Sequence, residues 1–289
     1  MPFNDPFIVY ICTGELRGPP KEIRYLQRSQ LLIELRALRG VDDLDLLLQM
    51  AECEFYLKRG EEEASMEIVT IFLIKANHSH EYVRTMADNQ RRKKKFLPAL
   101  ILYRVSNILH RMKGASGNDA VTWIKAILGN IASSAIPLIK ARGVSRDIGI
   151  SQGLEYMEIL LNDLRAVKNA APEALVLSEG RCLVSITAVY FHADQYNKIF
   201  PLCQKGIESL ENYFGSRALD YEPYGMLLNN LGTAHHSRKE YAEAAMYYVR
   251  ALEAKKRASY HGDDNKKLDD IKMTKKNLRN TQKRLENLK

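Results

Sequence analysis

The side chains able to do chemistry in this 289-residue chain are scattered rather than gathered. His78 and His80 stand two apart, a spacing that points them to different sides of a helix. With no cysteine or third histidine beside them, they do not read as a metal pair. His235 and His236 also diverge. Cys12, Cys53, Cys182 and Cys203 never approach a Cys-x-x-Cys spacing, so they read as reduced thiols of a cytosolic protein. Glu61, Glu62 and Glu63, like Asp42, Asp43 and Asp45, sit where carboxylates complement the positive end of a helix dipole. No phosphate-binding loop, Gly-x-Ser-x-Gly elbow or His-Glu-x-x-His helix occurs. No catalytic, cofactor-binding or metal-ligating residue is assigned, and the expected activity is binding without turnover.

Charge marks two binding surfaces. The run Arg91, Arg92, Lys93, Lys94 and Lys95 could neutralise phosphates, which makes RNA or another polyanion the alternative partner. Only Phe96 and Tyr103 stand nearby, so the aromatic interleaving of a single-strand binder is missing and protein partners rank above nucleic acid. The formal charge is +8, and Lys266 to Lys289 carries most of the excess, with seven Lys and two Arg against three acids. Leu268, Ile271, Leu278, Leu285 and Leu288 keep an apolar seam through that stretch near a seven-residue period. It reads as a basic closing helix, able to contact another helix or an acidic segment.

The element best placed to position side chains runs from Met226 to Ala254, two amphipathic helical halves hinged at Arg238 to Glu240. Gly232 and Ala244 remove bulk where the halves would cross, while Leu228, Leu231, Tyr241, Tyr248 and Leu252 fill the gaps around them. One hairpin leaves an apolar face bare, so the pattern calls for stacked neighbours.

These residues resemble a tetratricopeptide repeat. The family's Leu-Gly pair falls on Leu231 and Gly232, its turn tyrosine on Tyr241, and its second-helix small, aromatic and small sites on Ala244, Tyr248 and Ala251. His235 replaces the usual first-helix Tyr, and Lys256 the closing Pro. Asn229 and Asn230 before Leu-Gly, with a long charged second helix, are similar to repeats of the kinesin light chain type. A degenerate copy places Ile186 and Thr187 on the Leu-Gly pair, with Tyr190, Tyr196 and Gly206 in register; Ile199 and Pro201 depart from it. Leu278 echoes Leu231 with Arg279 in place of Gly, as a capping helix would, and Leu46 to Ile74 holds a fainter hairpin.

The resemblance implies an all-α fold, a right-handed α-α superhelix of stacked hairpins. It implies a protein or peptide ligand in the concave groove, facing Met226, Asn229, Asn230, Thr233 and His236. Asn amides suit an extended backbone because each offers donors and an acceptor. In this register His235 turns toward the core. The family's Lys and Asn clamp for a terminal carboxylate is unmatched, since Thr233 occupies the Asn position; Lys276 and Lys283 would favour acidic ligands.

With 46% hydrophobic residues and few Gly or Pro, the chain has ample material for a long core. The sequence divides into 1–113, an N-terminal helical region; 119–265, a hairpin solenoid with repeat-like units at about 181–213 and 225–258; and 266–289, the basic cap. Gly114 to Asn118 reads as a linker, Val121 to Ala141 as a helix kinked or split at Pro137, and Leu154 to Val167 as another helix. Phe7 to Cys12 is an isolated strand-like run without the basic start of a signal peptide. The longest unbroken apolar block, Ile68 to Ile74, is too short to span a bilayer, so no membrane insertion is expected. A cytoplasmic location is expected, with the basic run leaving nuclear import open.

Overall fold

The computed structural model describes residues 44–57, 62–141, 143–260 and 263–287. The Phe7 to Cys12 run, Asp42, Asp43 and the Arg59 to Gly60 turn lie outside them. Among the described residues there are eleven α helices, packed in sequential pairs as in a tetratricopeptide-like array, and no sheet beyond one isolated bridge from Tyr221 to Ser259. The contacts divide the molecule into two units.

The first unit holds the described residues up to Lys113 together with Ala141–Ile148. Its helices are α1 (Leu44–Leu57), α2 (Glu62–Lys75), α3 (His80–Arg92) and α4 (Phe96–Met112). α4 is apolar on nearly every face, so it becomes the core helix: Leu97, Leu100, Ile101, Leu102 and Val105 are buried, and α1, α2 and α3 all pack on it. Ser79 caps α3, accepting a bond from the Tyr82 amide at 3.2 Å. At its other end the basic run makes the turn into α4, its cations complementing the negative end of the helix dipole. The buried Tyr103 hydroxyl locks α3 to α4, donating to Asp88 Oδ1 at 2.5 Å and accepting from Arg91 Nε at 3.1 Å.

The second unit comprises Gly114–Lys140 and Gly149–Lys289. It contains α5 (Gly117–Lys140), α6 (Val144–Ala166, from Gly149 onward), α7 (Pro172–His192), α8 (Tyr196–Phe214), a 3-10 turn (Gly215–Asp220), α9 (Glu222–Ser237), α10 (Tyr241–Arg257) and α11 (Asp264–Glu286). α5 is one continuous helix: Pro137 falls in its final turn, where little helix remains to be disrupted. It also starts within the expected linker, because the Gly117 amide bonds to Lys168 O and Asn118 Oδ1 accepts from the Ala171 amide. α6 begins ten residues before the expected Leu154. Its interior glycines allow close packing on α5. A Cβ on Gly149 would sit 2.8 Å from the Ile139 amide nitrogen, and one on Gly153 2.6 Å from Ala135 Cβ.

The hairpins turn alike. Asp194 and Lys239 both take left-handed backbone, and the following amides, Gln195 and Glu240, bond back to Tyr190 O and His235 O at 2.9 and 3.0 Å. Lys94 repeats the arrangement between α3 and α4, with the Lys95 amide on Gln90 O at 2.9 Å. Close crossings follow from missing side chains: a Cβ on Gly232 would meet the Tyr248 ring at 2.9 Å, and one on Gly206 would meet Leu227 and Leu183. Ile199 stands where a small residue was expected and is fully buried.

Two helices, α5 with 24 residues and α7 with 21, are long and apolar enough to cross a membrane, so the short Ile68 to Ile74 block was not the relevant measure. A few tolerated polar residues had hidden these longer spans. α5 and α7 pack on each other, and 56% and 39% of their apolar windows are buried within the protein. Of the expected apolar seam of α11, Ile271, Leu278 and Leu285 are half-buried, and Leu288 lies outside the described residues. Leu268 is 52% exposed, and the residues that α11 buries fully are Thr274 and Thr281. Thr274 meets a polar surface, formed by Asn229 and Lys255.

Candidate functional site

The first helices of successive hairpins, α5, α7 and α9, together with α11, line a cleft of about 610 Å3. Leu128 of α5, Cys182 and Val184 of α7 and Met226 of α9 supply its apolar surface. Lys125, Arg181 and Lys266 supply three cations from three different helices. Glu222 faces them from the first turn of α9. Its carboxylate takes Lys266 Nζ at 2.5 Å and Arg181 Nη2 at 3.4 Å, so one buried acid ties α7, α9 and α11 together. Lys125 is exposed at the far wall.

The five expected groove residues divide. Met226 lines the cleft. Asn229 does not face ligand: it is 6% exposed, and its Oδ1 accepts from Thr274 Oγ1 of α11 at 3.0 Å. Asn230 Nδ2 donates to Thr187 Oγ1 of α7 at 2.9 Å. The Asn pair therefore fastens α9 to its two neighbours, satisfying groups that close helix packing would otherwise leave without water. Thr233 is turned inward too, donating to Asn229 O and accepting from the Tyr248 hydroxyl at 3.1 Å. His236 is half-buried against Tyr241, and burial, followed by the charge of Arg284, holds its pKa below the usual value. His235 is a hydrogen-bonded ring, its Nδ1 2.7 Å from Glu240 Oε2 and its face stacked on Tyr247.

The residues that sequence reasoning missed are Lys125, Arg181, Glu222 and Lys266. They are separated by up to 141 positions, and only the side-by-side placement of helices brings them together. Arg181 lies 45 residues before Met226, the spacing of the two repeat copies, and that was the available signal.

The basic run is only partly free for polyanions. Arg91 is engaged by Tyr103 and Asp88, and Arg92 by Asn89; Lys93, Lys94 and Lys95 are exposed on the turn. Cys53, Cys182 and Cys203 are buried outside any disulfide, and burial pushes the thiols of Cys182 and Cys203 up to about 12. Among the described residues no group of three metal-ligating side chains occurs.

The chain matches no curated protein. Residues 226–259 match the model of the tetratricopeptide repeat, and no catalytic family is found. Repeats of this kind are usually non-catalytic and imply a scaffold for protein–protein interaction. From the left-handed turn at Lys239 to the glycine against the Tyr248 ring, residues 226–259 are a tetratricopeptide repeat of the kinesin light chain type.

Proposed function

We propose that the second unit binds a segment of a partner protein in the cleft of α5, α7, α9 and α11. The carrying observation is that three cations and one adaptable Met converge there from four helices. Met226 fits varied apolar side chains because its thioether is flexible and polarisable. Lys125 and the Arg181 and Lys266 pair favour acidic residues on either side of that anchor. Glu222 moderates the field, so a ligand's carboxylates meet a net positive surface while the empty cleft remains internally neutralised in part. The buried Asn229 and half-buried Asn230 maintain the spacing of the inner helices, which makes them positioning residues. A cytoplasmic setting with reduced thiols accords with this reading.

The test is a comparison of proteins captured by the wild type and by a Lys125→Glu, Met226→Ala double variant. Lys125 is exposed and Met226 only half-buried, so the helices should remain folded, which circular dichroism checks. Partners lost by the double variant would locate the groove. An unchanged set of partners would refute it.

A further inference from the structure

Helix α11 is held differently from the other inner helices. α7 buries Leu183, Ile186 and Val189, and α9 buries Leu227, Leu228 and Leu231, whereas α11 fully buries only Thr274 and Thr281. Beneath Thr274 lies Lys255 of α10, 1% exposed. Its stem fits because Gly225 has no side chain; a Cβ there would come within 2.9 Å of Lys255 Cγ. The ammonium donates to Thr274 Oγ1 at 3.0 Å and to Asp270 O at 3.4 Å, and Asn229 Oδ1 lies 3.0 Å from the same threonine oxygen.

Among the described residues no carboxylate comes within ion-pair distance of Lys255. Burial lowers its pKa, and the charges of Asp270 and Glu222 oppose that only from a distance. The buried Tyr260 hydroxyl faces the Asp270 carboxylate of α11 itself. A cation desolvated against a hydroxyl and a carbonyl is less fully compensated than one in contact with a carboxylate. The present occupant meets that charge directly with a hydroxyl and a carbonyl, and with the Asp270 carboxylate only beyond ion-pair distance.

We propose that the seat of α11, formed by α9 and α10 around Lys255 and Asn229, is an exchangeable docking site for a partner helix that presents a carboxylate at the position of Thr274. The carboxylate would stand where Thr274 Oγ1 stands and accept from Lys255 Nζ. The Asn229 amide, turned over, would donate its NH2 to the second oxygen. A second copy of the chain offers the same threonine and gains nothing over α11, so the favoured occupant is a different, acid-bearing helix. Its arrival would also withdraw Lys266 from the cleft described above. The seat itself does not depend on the cleft binding anything.

The test is hydrogen exchange on the full chain. Wild-type amides of 264–286 should exchange at least about tenfold faster than those of α9 and α10, as expected of a weakly held element. Thr274→Asp, close to threonine in size, should slow that exchange about tenfold if it meets Lys255, and should speed it in a Lys255→Met background. Protection of α11 equal to that of α10, or Thr274→Asp accelerating exchange in both backgrounds, overturns the proposal. In a second arm, a synthetic peptide of residues 263–287 carrying the same aspartate is added to the wild-type chain. It should raise exchange in the native α11, while the unsubstituted peptide should not. Equal effects from the two peptides, or none from either, overturn it whether or not the substituted chain folds.

Discussion

Replacing Gly232 with Ala sets two opposed effects against each other. In an open helix the change would stabilise by about 1 kcal/mol, because glycine is the poorer helix former. Here the new methyl would stand 2.9 Å from Cδ1 and Cε1 of Tyr248 and 3.2 Å from its Cγ. The ring cannot swing aside freely: it is 2% exposed and its hydroxyl is tied to Thr233 Oγ1 at 3.1 Å. Overpacking of this kind costs about 1–3 kcal/mol, and a ring fixed at both ends belongs in the upper half, so the net expectation is a loss of about 1–2 kcal/mol. In a Tyr248→Leu background the clash disappears and the same change should become neutral or favourable, a coupling of about 2 kcal/mol. Native-state hydrogen exchange of α9 and α10 reads the opening free energy of this hairpin without requiring the whole chain to unfold in one step. Equal effects of Gly232→Ala in the two backgrounds, within about 0.5 kcal/mol, would refute the close-crossing argument.

Other consequences can be checked directly. Tyr103→Phe removes the hydroxyl that joins Asp88 to Arg91, and should lower the stability of the α3 and α4 hairpin by about 1.5–3 kcal/mol, the range for bonds to charged groups, read from exchange of its amides. Gly149→Ala brings a methyl against the backbone of α5, which cannot rotate away, and should destabilise more than Gly206→Ala, whose neighbours are leucine methyls; melting temperatures compare them. Burial lowers the pKa of His192, reinforced by Lys140, and burial likewise lowers those of His80 and His236. The folded chain therefore holds fewer protons than the unfolded one once pH falls below about 6.5, the ordinary histidine value, and stability is lost toward pH 5. His192→Gln should flatten part of that fall in a melting series, and an unchanged profile would count against it. Cys182 and Cys203, buried and held largely as thiols, should react with a thiol reagent only as fast as the protein opens.

What was legible in the sequence was the apolar and small-residue pattern. Leu231, Gly232, Tyr241, Ala244 and Tyr248 announce their hairpin because a close crossing accepts few alternatives. The polar residues were ambiguous, since one side chain can grip a ligand or fasten a neighbouring helix. Asn229 and Asn230 were read the first way and are used the second. The burial of Thr274 was not legible because nothing nearby in sequence reveals the buried Lys255 opposite it. The early start of α6 was not legible because the packing reason for Gly149 and Gly153 lies on α5. The repeated turn was hidden for a related cause: Lys94, Asp194 and Lys239 adopt left-handed backbone without the glycine that usually signals it. The cleft cations could not be paired from sequence, since no local spacing links Lys125 to Lys266.

The ties made by Asn229, Asn230 and Glu222 give the second unit a preferred way to deform. Directional bonds run from α7 to α9 to α11 along one edge, whereas contacts such as Gly206 against Leu227 are apolar and tolerate sliding. Strain applied to this array would spread the outer helices like the ribs of a fan while the laced edge kept its pitch, so a guest lying along that edge would meet an unchanging ruler.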